Sequence, residues 1–141
     1  MISDNLKLTG NLTIAVNNEI VQETKNLVVT AGKNFVASRM KDTTKAAMTH
    51  MAVGTGTTAA AAANTTLVSE TDRNALTSTT VTNNEIAYVA TWAAGDATAA
   101  LTEAGIFNAS SGGDMLCRTV FSVVNKGASD SMTITWTVTV S

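Results

Sequence analysis

One histidine stands in the chain, His50, inside Met48-Thr49-His50-Met51. A Ser-His-Asp or Cys-His relay has to be built on it, because imidazole is the group that moves a hydroxyl or thiol proton near neutral pH. It lies between two methionines in an apparent strand, far from any Gly-x-Ser-x-Gly elbow, and reads as structural. The one cysteine, Cys117, alternates with apolar residues and reads as a small buried hydrophobe. Arg118 beside it does not activate it, since neighbours on a strand point to opposite faces. One His and one Cys supply no zinc ligand set, and Gly112-Gly113-Asp114 is a turn signal rather than a calcium loop. Glu70, Glu85 and Glu103 are carboxylates that a glycosidase would need as a pair, but their spacing favours no pairing. Tyr88, Trp92 and Trp136 could stack on sugar, yet each shares strand parity with aliphatic residues, which places it in a core or an interface. No catalytic, cofactor-binding or metal-ligating residue is assigned, and the chain is read as not an enzyme.

Composition narrows the classes further. The 141 residues are 45% hydrophobic but only 4% aromatic, so Ala, Val, Leu and Met supply most of the apolar volume. Small side chains bury little area each, at about 25 cal/mol per Å². Subunit contacts are therefore expected to add to the stability of a lone chain. Charged residues are 14% against roughly a quarter in ordinary soluble domains, and the net charge is -2. No basic patch speaks for nucleic acid, and no run approaches the length that spans a bilayer. The start, Met1-Ile2-Ser3-Asp4-Asn5, lacks the basic and apolar regions of a secretion signal, and a single cysteine suits synthesis in a reducing cytoplasm.

The elements follow from periodicity. Leu6, Leu8, Leu12, Ile14 and Val16 alternate with polar residues, and Asn17-Asn18 can take the positive φ of a tight turn. Residues 5–24 are thus expected to form a hairpin, and residues 1–24 an N-terminal arm. Thr30 is placed to cap a short helix running to about Lys41. Residues 48–53 read as a strand ending at Gly54. The Thr- and Ala-rich segment 57–66 suits a helix or an extended surface arm equally. One helical turn within 66–76 would set Glu70 beside Arg73. Strands are expected over 76–82 and 85–92 around Asn83-Asn84, over 99–107, and over 115–124 with Met115, Cys117, Phe121 and Val123 on one face. The last is the clearest: Met132, Ile134, Trp136, Val138 and Val140 alternate with threonines. Some eight strands and one helix predict a mainly β chain, a single β-rich domain over 1–141. Its architecture would be an antiparallel β-sandwich or jelly-roll-like barrel. With no proline in the chain, the sheet edges need other protection, and a neighbouring subunit is one form of it.

Four stretches carry a resemblance. They are Lys25-Asn26-Leu27-Val28-Val29-Thr30-Ala31-Gly32-Lys33-Asn34; Val53-Gly54-Thr55-Gly56-Thr57-Thr58 with Leu67, Glu70 and Arg73; Glu103-Ala104-Gly105-Ile106-Phe107; and the terminal alternating strand. The second is no phosphate loop, because no Lys follows its glycines. In this order the four resemble small virion structural proteins of tailed bacteriophages, namely capsid cement or decoration proteins, with a related pattern in tail-fibre and baseplate modules. Similar sequences carry a proline where this chain has alanines at 59–63, and tend to Asp where Asn64 stands, which implies a more mobile loop here.

The resemblance implies a particle component that acts by association alone. Its partners would be the major capsid protein and further copies of itself, arranged as a trimer on the outside of the virion after assembly in the host cytoplasm. A chain that stops at Ser141 is expected to be cement rather than a fibre, which would continue into a shaft. Residues 5–24 and 57–66 are the segments expected to reach a neighbour, through strand addition multiplied by avidity. A tail-fibre or baseplate connector is the alternative, and a carbohydrate-binding module a more distant one.

Overall fold

Alternation of large apolar residues with threonine has one economical outcome: a strand buried on one side and wetted on the other. The computed structural model describes residues 5–41 and 45–141 and is built on that rule. Its first half contains β1 (Leu8–Val16), β2 (Glu19–Lys25), β3 (Leu27–Val28), helix α1 (Thr30–Met40) and β4 (His50–Gly54). There follow β5 (Glu70–Ala75), β6 (Ser78–Thr82), β7 (Glu85–Trp92), β8 (Ala99–Phe107), β9 (Met115–Lys126) and β10 (Met132–Val140). They make two five-stranded sheets, ordered β2-β1-β10-β7-β6 and β3-β9-β8-β4-β5, with every pairing antiparallel. The fold is mainly β, an antiparallel β-sandwich with one short helix.

The first sheet is the simpler. Its central strand β10 turns Met132, Ile134, Trp136 and Val138 inward, all buried, against Leu12 and Ile14 of β1 and Tyr88, Ala90 and Trp92 of β7. Trp92 and Trp136 are completely enclosed. Two such rings bury about 150–250 Å² each, an upper bound of about 4–6 kcal/mol apiece, and so anchor a core otherwise made of small side chains. Asn17 and Asn18 both have positive φ (52° and 66°), as the tight β1–β2 turn requires.

That first hairpin is no free arm. β1 is paired along its whole length with β10 on one side and with β2 on the other. The reason is in its own residues: Leu12 and Ile14 are 1% and 0% exposed, and a strand carrying them cannot leave the core cheaply. Residues 1–4 of the expected arm lie outside the described residues.

The second sheet is buried on both faces where a loop lies over it, and the simple alternation fails there. β9 carries two irregularities against β8. Ile106 pairs with Cys117 but Phe107 with Met115, and Leu101 pairs with Val124 but Glu103 with Val120. The single extra residue at the first of these, Leu116, reverses strand parity. Met115 therefore leaves the face of Cys117 and packs outside with Val29, Ala52, Leu67 and Phe107, while Val123 is 56% exposed. The expected single face of Met115, Cys117, Phe121 and Val123 does not exist. Residues 70–75 form β5 rather than a helical turn. Thr71 is extra in the pairing with β4, where Val53 meets Asp72 and Gly54 meets Glu70. That shift brings Glu70 and Arg73 onto one side after all.

Helix α1 begins one residue earlier than a Thr30 cap would place it. Val29 occupies the cap position with no side-chain bond, and the Thr30 N–H donates instead to the Ala62 carbonyl at 2.8 Å. A loop carbonyl thus serves one of the amides that a helix start leaves unpaired. Deleting residues 1–24 is expected to abolish cooperative unfolding, because it removes an interior strand and two core side chains. A sharp thermal transition in the truncated chain, followed by near-ultraviolet circular dichroism, would restore the arm reading.

Candidate functional site

Of the four stretches that carry the resemblance, the terminal strand is β10 of the first sheet, and residues from the other three meet on the outer face of the second sheet. Glu103 on β8 and Arg118 on β9 project there side by side, both side chains 0% exposed, with Arg118 Nη2 and Nε donating to Glu103 Oε1 at 3.0 and 3.2 Å. The same carboxylate accepts three backbone amides. Gly56 and Ser69 donate to Oε2, each at 2.7 Å, and Val68 donates to Oε1 at 2.9 Å. Arg118 spends its remaining donors on the Thr58 carbonyl at 2.9 Å and on Asn64 Oδ1 at 3.0 Å. Thr102 Oγ1 completes the set by donating to the Gly56 carbonyl at 2.8 Å. Segment 55–69, which has no helix or strand of its own, is thereby tied flat across the sheet.

Glycine makes the close approach possible. A Cβ on Gly56 would strike the Glu103 carboxylate and Val68, and one on Gly54 would strike the Ser69 carbonyl. Gly105 leaves the gap into which Leu67 packs. The glycine-threonine loop and the Glu-Ala-Gly stretch are therefore two halves of one clasp. The expectation of a mobile loop, or of an arm over 57–66, does not match this arrangement. Asn64 substitutes for the missing rigidity by accepting from both Arg118 and the Ala61 amide.

Arg73 forms a second tie. Its Nη2 and Nε hold the Glu70 carboxylate at 2.7 and 3.1 Å, and Nη1 donates to the carbonyls of Ala109 at 3.0 Å and Gly112 at 2.9 Å. Its guanidinium lies 3.8 Å above the Phe107 ring. A planar cation suits this use, since it can stack and fork at once. The β8–β9 turn is held down by it.

Electrostatics keep the clasp ionised. Burial pushes the Glu103 carboxyl upward, but the Val68, Ser69 and Gly56 amides and the Arg118 guanidinium outweigh it and hold the group below its ordinary 4.5. Burial drives the Cys117 thiol far up, with the Asn26 side chain opposing it only in part, so no thiolate is offered. Burial also lifts the Tyr88 phenol to about 12, with Cys117 adding to the effect. Both groups stay neutral across the physiological range.

The remaining chemical candidates are scattered. His50 opens β4 with Nδ1 2.7 Å from the Thr49 hydroxyl. Cys117 faces the core of the sandwich. Glu85 begins β7 in the other sheet, while Glu70 and Glu103 are each held by an arginine. Among the described residues no three His, Cys, Asp or Glu side chains are grouped to hold a metal, and no helix is long and apolar enough to cross a membrane. Trp92 and Trp136 are enclosed with their indole N–H groups unpaired, and Tyr88 is buried, so these three rings form no sugar platform. An apolar groove of about 300 Å³ opens between α1 and the sheet ends, lined by Leu8, Phe35, Val36, Met48, Ile86 and Tyr88 among others. Its walls are mostly apolar, with Arg39 the one charged residue that lines it.

Of the clasp residues, Thr102 goes unremarked in the sequence, Arg118 reads there only as a neighbour of Cys117, and Asn64 only as a departure that loosens the loop. Arg118 left a signal: one cation between Cys117 and Thr119 in an apolar strand needs a buried partner, and Glu103 is the matching acid in another. No protein-family model, curated protein or solved structure matches the chain.

Glu103→Gln leaves Arg118 buried without its counter-charge. It should lower unfolding stability by about 3–5 kcal/mol, measured by denaturant titration. A loss below about 1 kcal/mol would remove the clasp from the stability account. The pH effect has a definite sign. A carboxylate whose folded value is depressed contributes stability fully above 4.5 and loses it as pH falls through the lower folded value. Asp130, likewise lowered, chiefly by the Asn17 amide, adds an acid-dependent loss of the same sign. The acid-dependent loss should therefore be smaller, though still present, in Glu103→Gln than in the parent protein.

Proposed function

We propose that this chain is a structural virion protein of a tailed bacteriophage, a capsid cement protein that binds the icosahedral head and stabilises it. The observation that carries the reading is the convergence of three of the four motifs on one clasp. Val29 and Thr30 from the first, the loop and strand from Gly54 to Arg73 of the second and Glu103 to Phe107 from the third touch one another, and the buried carboxylate of Glu103 is spent on holding a loop to a sheet. Motifs that share a scaffolding task fit a particle component better than they fit a catalyst.

The surface adds support. Charged residues are only 14% of the chain, and Glu103, Arg118 and Lys126 among them are interior, which leaves a thinly charged skin. Such a skin suits a protein covered by neighbours. The partners in this reading are the major capsid protein and other copies of the chain, with a trimer as the assembly the resemblance implies. Clamping would come from burial and main-chain pairing, repeated over the lattice so that weak contacts add.

Copy number separates this from a tail-fibre or baseplate connector. Densitometry of purified particles should give the protein at an abundance approaching that of the major capsid protein. A few copies per particle would move it to the tail, and absence from the particle would remove it from the virion.

A further inference from the structure

Two sandwiched sheets leave four edges, and natural proteins guard such edges with charge, proline, bulges or brevity. Three of the four here are guarded. β2 carries Glu19, Glu23 and Lys25, and its register breaks opposite Ile14 and Ala15. β5 carries Glu70, Asp72 and Arg73 and the extra Thr71. β3 is two residues long. The fourth edge, β6, has none of these devices. Ser78-Thr79-Thr80-Val81-Thr82 is uncharged, all five residues are exposed, and its pairing with β7 runs without a break from Ser78 opposite Val89 to Thr82 opposite Glu85.

Val81 makes the exception sharper. It pairs with Ile86, which pairs with Val138, so it lies on the inward face of the first sheet. Yet it is 67% exposed, because the strand overhangs the cover that the second sheet provides. An inward-facing valine left open at an unguarded edge is a surface prepared for another strand.

We propose that β6 is a homotypic docking edge, pairing antiparallel with β6 of a second copy about a two-fold axis to join the two first sheets into one of ten strands. The sequence of β6 favours its own copy as the occupant. Centred on Thr80, the pairing sets Thr80 opposite Thr80 of the second copy, Thr79 opposite Val81, and Ser78 opposite Thr82. No charge meets a like charge. Threonine–threonine and threonine–serine neighbours are favourable cross-strand pairs, and each Val81 gains cover from the opposing strand. Two-fold contacts of this isologous kind are the commonest way identical chains associate. The edge belongs to the isolated chain and does not depend on the particle reading.

The test uses the full chain alone, by sedimentation across a concentration series. The parent protein should show a reversible dimer. Thr80→Lys sets two ammonium groups face to face on the solvent side of the sheet and should weaken association by about tenfold or more. Thr80→Glu should do the same, and an equimolar mixture of the two variants should restore pairing. Glu23→Lys on the β2 edge should leave it unchanged. Directly opposed strand residues also lie within disulfide reach, with Cα atoms about 4.5–5.5 Å apart. Thr80→Cys should therefore give a covalent dimer on oxidation, and buried Cys117 should give none in the parent. A parent chain that stays monomeric at every concentration overturns the proposal. So does a dimer that Thr80→Lys leaves intact, or a Thr80→Cys protein that does not cross-link.

Discussion

The structure turns on how a loop without helix or strand can be kept against a sheet. Backbone amides pressed onto an apolar face need acceptors, and each one left without costs about 1–3 kcal/mol. Glu103 supplies acceptors to three of them at once, and Arg118 makes the buried carboxylate tolerable while gathering a carbonyl and an amide oxygen from the same loop. A buried ion pair adds little net stability over an apolar replacement. Its value here is positional: a leucine pair in its place would bury area but say nothing about where residues 55–69 should lie.

The two sheets were unequally legible from sequence, for one physical reason. Where a strand has one dry and one wet side, side-chain type reports position, and the bounds of β7 and β10 could be read directly. Both faces of the second sheet are dry around Glu103 and Arg118, so alternation carries no information there, and the bulges near Leu116 and Val123 could not be seen. β5 was missed because Glu-Thr-Asp-Arg-Asn-Ala is an edge strand, whose polar side chains look like those of a loop or a helical turn. Thr30 was misread as a cap because the acceptor that serves the helix start comes from Ala62, far away in sequence.

The clasp was legible only as a set of motifs, not as an interaction. Gly54, Gly56, Gly105, Glu70, Arg73 and Glu103 stood out together, but nothing in their spacing said that a carboxylate would meet the amides of a glycine loop. The low-complexity run of alanines pointed the wrong way. Its lack of bulky anchors suggests freedom, whereas the anchoring is done by side chains from other strands. The exposed surface of the described residues includes the bare main-chain edge of β6 and the apolar groove beside α1.

The clasp also bears on the order of folding. Its bonds join residues far apart along the chain: Gly56 to Glu103 across 47 positions, Val68 to Glu103 across 35, and Arg118 to Thr58 across 60. Loop closure over such spans is slow, and it brings no reward until β8 and β9 already lie side by side. The glycine loop is therefore a latch whose acceptors are in place only once β8 and β9 are paired, and any arrangement of the strands without it leaves one flank of the sandwich bare.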